Sequence, residues 1–154
     1  MELSTETVPM ATVTTETFAV EGLLPGTGSG NVLALTAPIS FWGGVDPRTG
    51  TIIDARHPQC GQSVAGRVLG LPGTIGSSSA SSVLLELVHA GHAPAALLMH
   101  EPDAILLLGL VVAREMGWPT PPAVRLPAAD QARLAGRDVT VGDGHVTPSP
   151  GASA

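Results

Sequence analysis

The sequence predicts an α/β domain in which helices pack on a mixed sheet of short strands. Three observations support this fold class. Strand-like apolar segments fill the first half of the chain, a strand–helix–strand pattern follows between residues 67 and 100, and a second apolar helix comes directly after it. Closely spaced strands can pair antiparallel, whereas strands separated by a helix usually pair in parallel, so the two patterns together predict a mixed sheet.

Short strands and tight turns are predicted for the first half of the chain. "ETFAVEGLL" and "NVLALT" predict strands joined by "PGTGSG", and the meander continues through "PISFWGG" and "TIIDA". The segment "VDPRTG" predicts a hairpin turn, because Pro47 has a fixed φ and Gly50 can adopt a left-handed conformation. The glycines of "GTGSG" imitate a dinucleotide-binding fingerprint, but a strand follows them where that fingerprint needs a helix, so we expect no nucleotide site.

Alternating strands and helices are predicted for the second half. "RVLGL" predicts a buried strand that leads through "PGTIG" and a run of serines into a helix, and "AALLMH" predicts the next strand. A second helix is predicted from its N-cap Asp103 to Met116, with Gly117 at its end. Its middle, "AILLLGLVVA", predicts burial on more than one side. "AVRL" then predicts a strand, "AADQARLAG" a short helix and "DVTVGDGHVT" a closing hairpin.

Disordered tails are predicted at both ends of the chain, at residues 1–15 and 147–154, which leaves a domain at 16–146.

Of the 154 residues, 44% are hydrophobic and only 13% are charged, so part of the surface is expected to face a partner. The most apolar segment, Ala104–Ala113, is shorter than the roughly 20 residues of a membrane span. Since the N-terminus does not read as a secretory signal, a cytoplasmic protein is expected.

The residue inventory excludes several classes of function. The sequence contains no lysine, which rules out a Schiff-base lysine and a complete Walker A motif. The seven arginines are scattered along the chain, so nucleic-acid binding is not expected. A single cysteine, Cys60, cannot build an internal disulfide or an iron–sulfur site. His89 and His92 lack a carboxylate or cysteine that would complete a set of metal ligands.

The serine run is the strongest candidate for a functional site. Residues 77–82 contain five serines, and Ser77 or Ser78 can cap the helix that follows. Capping leaves most of the serines unexplained, whereas the N–H groups and partial positive charge of a helix N-terminus suit an anion or a serine alkoxide. An anion-binding or catalytic loop and a structural helix start both stay open. His57, in an irregular loop, is similarly either a ligand-binding side chain or a loop histidine without function.

The order of the segments resembles the swivel domain of aconitase X, which is a small subunit or a fused domain in a family of dehydratases. The resemblance covers about residues 16–145. It rests on "SFWGGVDP", on "HP" with "G.S..G" after it, on the "GS" that is followed by small residues, and on the "APAA" strand. It implies the swivelling β/β/α fold, which closes over a catalytic core on a separate large subunit or region.

The resemblance also implies an activity and its residues. The family dehydrates hydroxy acids: cis-3-hydroxy-L-proline to pyrroline-2-carboxylate in bacterial members, and mevalonate 5-phosphate in archaeal members. "GSSSASS" is closer to the bacterial form, which favours hydroxyproline, with mevalonate 5-phosphate as the alternative. Matched to the family, Ser77 is the catalytic base, and Gly76, Ser78, Ser79 and His57 are candidates for binding the substrate.

The implied cofactor lies on another chain. In the family the large subunit carries an iron–sulfur cluster, so this chain is expected to bind no cofactor and to have two partners, the large subunit and a small hydroxy acid. Nucleic acid and membrane are not expected partners. Thr74 and Ile75 replace a Gly-Arg or Gly-Lys pair that the family often has, which disfavours a phosphorylated substrate. The alternative from another class is a non-catalytic swivel module. A partner subunit predicts an apolar, weakly charged patch beside the serines.

Overall fold

A computed structural model describes residues 16–76 and 78–150. Within these ranges the chain forms eight strands and four helices. The strands are β1 (Phe18–Ala19), β2 (Glu21–Leu24), β3 (Gly28–Ala34), β4 (Val68–Leu71), β5 (Ala96–Met99), β6 (Ala123–Arg125), β7 (Asp138–Gly142) and β8 (His145–Pro148). The helices are α1 (Phe41–Gly44), α2 (Ala80–Ala90), α3 (Ala104–Glu115) and α4 (Ala128–Leu134).

The strands form one mixed sheet in the order β1-β8-β7-β3-β4-β5-β6-β2. The four strands from β3 to β6 are parallel, and the others join them antiparallel. The predicted mixed sheet is therefore confirmed. The predicted meander of the early strands is wrong, because β1 pairs with β8, β2 pairs with β6, and β3 lies between β7 and β4.

The two edges of the sheet are linked by a single residue. Val20 alone separates β1 from β2, which are the first and last strands in the sheet order. Consecutive Cα atoms are about 3.8 Å apart, so the two edges lie close together and the sheet curls. A local alternating pattern identifies such short strands but carries no information about their partners, which explains why the meander prediction failed.

Two hydrophobic clusters lie on opposite faces of the sheet. Because side chains alternate along a strand, Leu69 and Leu71 of β4 pack with α2 and α3, whereas Val68 packs in the second cluster. The second cluster includes Leu134 of α4 and Val139 of β7. Helices α2 and α3 therefore cover one face, and α4 lies on the other.

Helix α3 starts where the sequence predicts. The Asp103 side chain accepts hydrogen bonds from the N–H groups of Ile105 and Leu106, at 3.0 and 3.1 Å, and Gly117 follows with φ +77°. The prediction of burial on more than one side is wrong. Leu106 and Leu110 are buried, but Leu108 is 53% exposed, because α2 covers only one side of the helix.

A buried glutamine holds α4 against the ends of three strands. Gln131 is 1% exposed, and its Nε2 lies 2.9–3.1 Å from the carbonyl oxygens of Leu71, Leu98 and Leu126. Buried carbonyls need such partners. Its Oε1 has no partner among the described residues.

The turn predicted at "VDPRTG" is confirmed. The Asp46 N–H donates to the Thr51 carbonyl at 2.8 Å, and Gly50 has φ +79°.

The predicted C-terminal tail begins at residue 147, but in the structure β8 continues to a buried Pro148. The Ser149 N–H also donates to the Asp138 carbonyl at 2.8 Å. Residues 1–15 and 151–154 of the predicted tails lie outside the described residues.

In the described part of the chain, no helix combines the length and apolar character needed to cross a bilayer.

Replacing Gly28 by alanine is expected to destabilise the domain by about 1–3 kcal/mol, because overpacking forces the backbone to shift. A Cβ at Gly28 would lie 1.9 Å from the backbone oxygen of Ala95. The control is Gly22→Ala in β2, where a Cβ would meet nothing within 4 Å. Urea unfolding measures both variants, and equal stabilities of Gly28→Ala and wild type would contradict the close approach.

Candidate functional site

The candidate site lies where the parallel strands end. The carboxyl ends of parallel strands meet at one edge of a sheet, where ligands commonly bind in α/β proteins. At this edge β3, β4 and β5 lead into the segments 35–40, 72–79 and 100–103. A cleft of about 580 Å³ opens there, lined by Pro38, Pro72, Gly73, Thr74, Glu101, Pro102, Asp103, Ala104 and Ile105.

The segment 72–79, called the serine loop below, is anchored on its first half. Thr74 forms a parallel bridge with Ile39. The Ile75 N–H donates to the Ile39 carbonyl at 3.0 Å, and the Ile39 N–H lies 3.4 Å from the Gly73 carbonyl. These backbone contacts extend the β3–β4 pairing beyond the sheet, so they fix the chain as it approaches the serines.

A side-chain hydrogen bond ties the serine loop to helix α3. The Thr74 hydroxyl donates to Asp103 Oδ2 at 2.6 Å, while Oδ1 of the same carboxylate caps α3. A hydroxyl bonded to an ionised oxygen makes a short and strong contact. One carboxylate therefore connects the end of β4, the start of α3 and the cleft between them. The sequence revealed Asp103 only as a cap, since nothing local links it to Thr74.

The serines divide into separate roles. Ser77 lies outside the described residues. Helix α2 begins at Ala80 with Ser79 at its N-cap position, one residue after Ser78. A cap by Ser77, the other predicted residue, stays a prediction. The Ser81 hydroxyl donates to the Ser78 carbonyl at 3.0 Å, and the Ser82 hydroxyl donates to the Ser79 carbonyl at 2.8 Å. These two hydroxyls therefore form hydrogen bonds within the first turn of the helix.

The predicted substrate-binding residues of the loop remain open to approach. Gly76 and Ser78 are exposed and Ser79 is half-buried. A Cβ placed on Gly76 would meet no atom within 4 Å. A ligand can therefore approach the backbone here, next to the N-terminus of an 11-residue helix.

His57 connects two loops of the same edge. Its ring is buried, with Nε2 3.0 Å from the Ala37 carbonyl oxygen and Nδ1 accepting from the Gln59 N–H at 3.1 Å. These partners assign the proton to Nε2. His57 thus holds the loop after β3, which in turn pairs with the serine loop. Its contact with a substrate stays a prediction.

The charges and apolar side chains of the site are unevenly distributed. Among the described residues that line the cleft, the charged side chains are Glu101 and Asp103, and none is cationic. Ile75 in the serine loop is 58% exposed and Ile105 is 50% exposed. Two apolar side chains near the serines are thus exposed, and the predicted weakly charged patch stays a prediction.

The candidate metal ligands are not brought together. In residues 16–76 and 78–150, no three His, Cys, Asp or Glu side chains are placed to hold a metal ion. Cys60 is exposed. His89 packs on Trp118 with ring centroids 4.7 Å apart, and His100 Nδ1 accepts from the Ala128 N–H at 2.9 Å. His89 and His100 thus have structural contacts.

Fold and site together define an α/β domain of the swivelling type, with a serine loop and an open cleft at the carboxyl edge of its parallel strands. The chain belongs to the aconitase X swivel domain family, whose sequence profile matches residues 17–147. The aconitase X of Thermococcus kodakaraensis in its holo-form has a similar fold, with a TM-score of 0.75 and 31% identity, over 86% of this chain and 98% of that chain.

Two proteins similar to this chain differ from each other in length and in the dehydratase that each is named as. A cis-3-hydroxy-L-proline dehydratase of Pseudomonas aeruginosa is 52% identical over 94 residues, which are 61% of this chain but only 16% of the relative. A phosphomevalonate dehydratase small subunit of Methanopyrus kandleri is 46% identical over 81 residues, covering 53% of this chain and 60% of the relative. The chain thus matches less than two thirds of the length of either relative.

Thr74→Val is expected to lower the free energy of unfolding by about 1–2 kcal/mol, because it removes a hydrogen bond to a charged group. Thr74→Ser keeps the hydroxyl and serves as the matched control. Urea unfolding compares the two variants with wild type. If the valine variant is as stable as the serine variant, the bond to Asp103 does not anchor the loop.

Proposed function

We propose that this chain is the small subunit of a heteromeric, cytoplasmic dehydratase of the aconitase X type, acting on cis-3-hydroxy-L-proline. The observation that carries the proposal is the serine loop at the carboxyl edge of the parallel strands, whose first residues line a cleft that has carboxylates and no cation in its described lining. Family membership and the similarity to a hydroxyproline dehydratase support the same reaction.

The proposed base is the Ser77 hydroxyl, matched to the family's serine. In the dehydration, the Ser77 alkoxide takes the proton from the carbon that bears the carboxylate, and the hydroxyl on the neighbouring carbon leaves as hydroxide, which takes up a proton and becomes water. A carbon–carbon double bond forms, and the product tautomerises to pyrroline-2-carboxylate. A serine needs a stabilised alkoxide for this role, and the N-terminus of α2 offers partial positive charge beside the loop.

The remaining loop residues are proposed to bind the substrate's carboxylate. Gly76, Ser78 and Ser79 precede α2, and the open space at Gly76 leaves its backbone accessible. Backbone N–H groups at a helix N-terminus suit a carboxylate. His57 is proposed to act through position, because its two ring nitrogens already bind backbone groups.

Charge in the cleft favours hydroxyproline over a phosphorylated acid. Hydroxyproline carries a ring ammonium group, which suits the exposed carboxylate of Glu101 at the cleft. A phosphate would approach Glu101 and Asp103 without any described cationic side chain to offset their charge. Mevalonate 5-phosphate stays the second candidate, because the Methanopyrus kandleri relative is a phosphomevalonate dehydratase small subunit.

The proposed partner is a large catalytic subunit. The relative from Pseudomonas aeruginosa is a far longer chain, and that from Methanopyrus kandleri is named as a small subunit. The described residues offer no set of metal ligands, so we assign the family's iron–sulfur cluster to the partner. When bound, such a cluster supplies the Lewis acid that helps hydroxide leave.

The reconstituted pair is expected to dehydrate cis-3-hydroxy-L-proline, with little or no turnover of mevalonate 5-phosphate and none by this chain alone. Product formation is followed with each substrate, using the purified large subunit from the same organism. A preference for mevalonate 5-phosphate would reverse the substrate assignment. A pair that binds either acid without converting it would indicate the non-catalytic module.

Ser77→Ala is expected to lower kcat of the pair by about 10²–10⁴-fold, the usual contribution of a general base. The matched control is Ser82→Ala, whose hydroxyl only donates to the Ser79 carbonyl and which is expected to stay within about threefold of wild type. Steady-state rates measure both variants. An unchanged rate for Ser77→Ala would remove the serine from its assigned role.

A further inference from the structure

The outer side of α3 carries a stripe of exposed apolar side chains that the candidate site does not use. The stripe, called the α3 face, consists of side chains that are 38–54% exposed: Ile105, Leu108, Val111, Val112 and Met116. Their spacing of three and four residues puts them on one side of the helix. The opposite side of α3 packs on α2.

This pattern is unusual for a helix that faces water. A surface helix normally presents polar side chains to solvent, whereas the charged side chains of α3 are confined to Arg114 and Glu115 in its last turn. Contiguous exposed apolar side chains mark interaction surfaces. The α3 face is therefore expected to be covered in the working protein.

The α3 face is continuous with the cleft. Ile105 belongs to both, since it lines the cleft and begins the stripe. From there the 12 residues of α3 extend for about 18 Å at 1.5 Å per residue. A partner that closes over the cleft therefore meets the start of the α3 face and can follow it.

Size and charge distinguish between the possible occupants. A stable interface involves about 20–30 residues on each side, so a second copy that paired through this stripe alone would bury too little surface. A partner that also covers the cleft and the serine loop would bury more. In the Pseudomonas aeruginosa relative, the matched segment is only 16% of the chain, so a much larger part of that protein lies outside this domain.

We infer that the α3 face is a docking surface for the large catalytic subunit and continues the contact that this subunit makes around the cleft. The inference rests on the proposed function for the existence of that subunit. The complementary surface is an apolar strip, because the charged side chains of α3 lie in its last turn.

The test substitutes Leu108, which is outside the cleft lining and is 53% exposed. Leu108→Glu is expected to weaken binding to the purified large subunit by about tenfold or more, because docking would bury the new charge in an apolar contact. Biolayer interferometry measures the affinity. Thermal unfolding of the chain alone is expected to be unchanged, since the side chain already faces solvent.

Two controls separate docking from general effects of charge and of substitution. Ala132→Glu introduces the same charge at an exposed position of α4, on the other face of the sheet, and is expected to bind the large subunit as wild type does. Leu108→Met keeps the apolar character and is also expected to retain affinity. When the large subunit is saturated with the Leu108→Glu chain, the pair is expected to have the kcat of the wild-type pair.

Each outcome distinguishes the inference from the proposed function. Wild-type affinity for Leu108→Glu would overturn the docking surface while leaving the dehydratase assignment intact. A chain that is a dimer alone and becomes a monomer in Leu108→Glu would also overturn it, since a second copy would then cover the face. The wild-type chain could instead bind the large subunit without any turnover, while Leu108→Glu binds it more weakly. That result would support the docking surface and contradict the proposed function. A wild-type chain that does not bind the large subunit overturns both.

Discussion

The parallel alignment of β3, β4, β5 and β6 is the constraint on which the rest of this structure depends. Parallel neighbours need crossover connections, so the chain leaves each strand at the same edge and returns through a helix or a long loop. The segments after β3, β4 and β5 consequently meet at that edge. The serine loop and the cleft exist because of this convergence.

Polar side chains with backbone partners then fix the converging segments. Asp103 caps α3 and accepts the Thr74 hydroxyl, and His57 bonds to backbone groups of two loops. Gln131 performs a similar function on the other face, where it contacts the carbonyls at three strand ends. Buried carbonyls without such partners would be costly, so these few side chains order an edge that has no regular secondary structure.

The resulting domain has a well-packed interior and an incompletely covered exterior. Helices α2 and α3 bury one side of each helix against the sheet and against each other. The outer side of α3 stays apolar and exposed, and so does Ile75 in the serine loop. A domain that closes over a separate catalytic core would have this distribution, because its uncovered apolar surface is buried only in the assembled state.

The sequence by itself determined the elements that rest on local physics. Apolar runs bounded by turn residues predicted β4, β5 and α2, Asp103 predicted the start of α3, and "VDPRTG" predicted its turn. The family's motifs identified the serine loop without its geometry. Only the tertiary structure decided which strands pair, because alternation along β1 and β2 is the same whatever their neighbours. It alone linked Thr74 to Asp103 across 29 positions, and it alone showed that one side of α3 is exposed, because an apolar helix has the same sequence whether its outer side meets a neighbour or water.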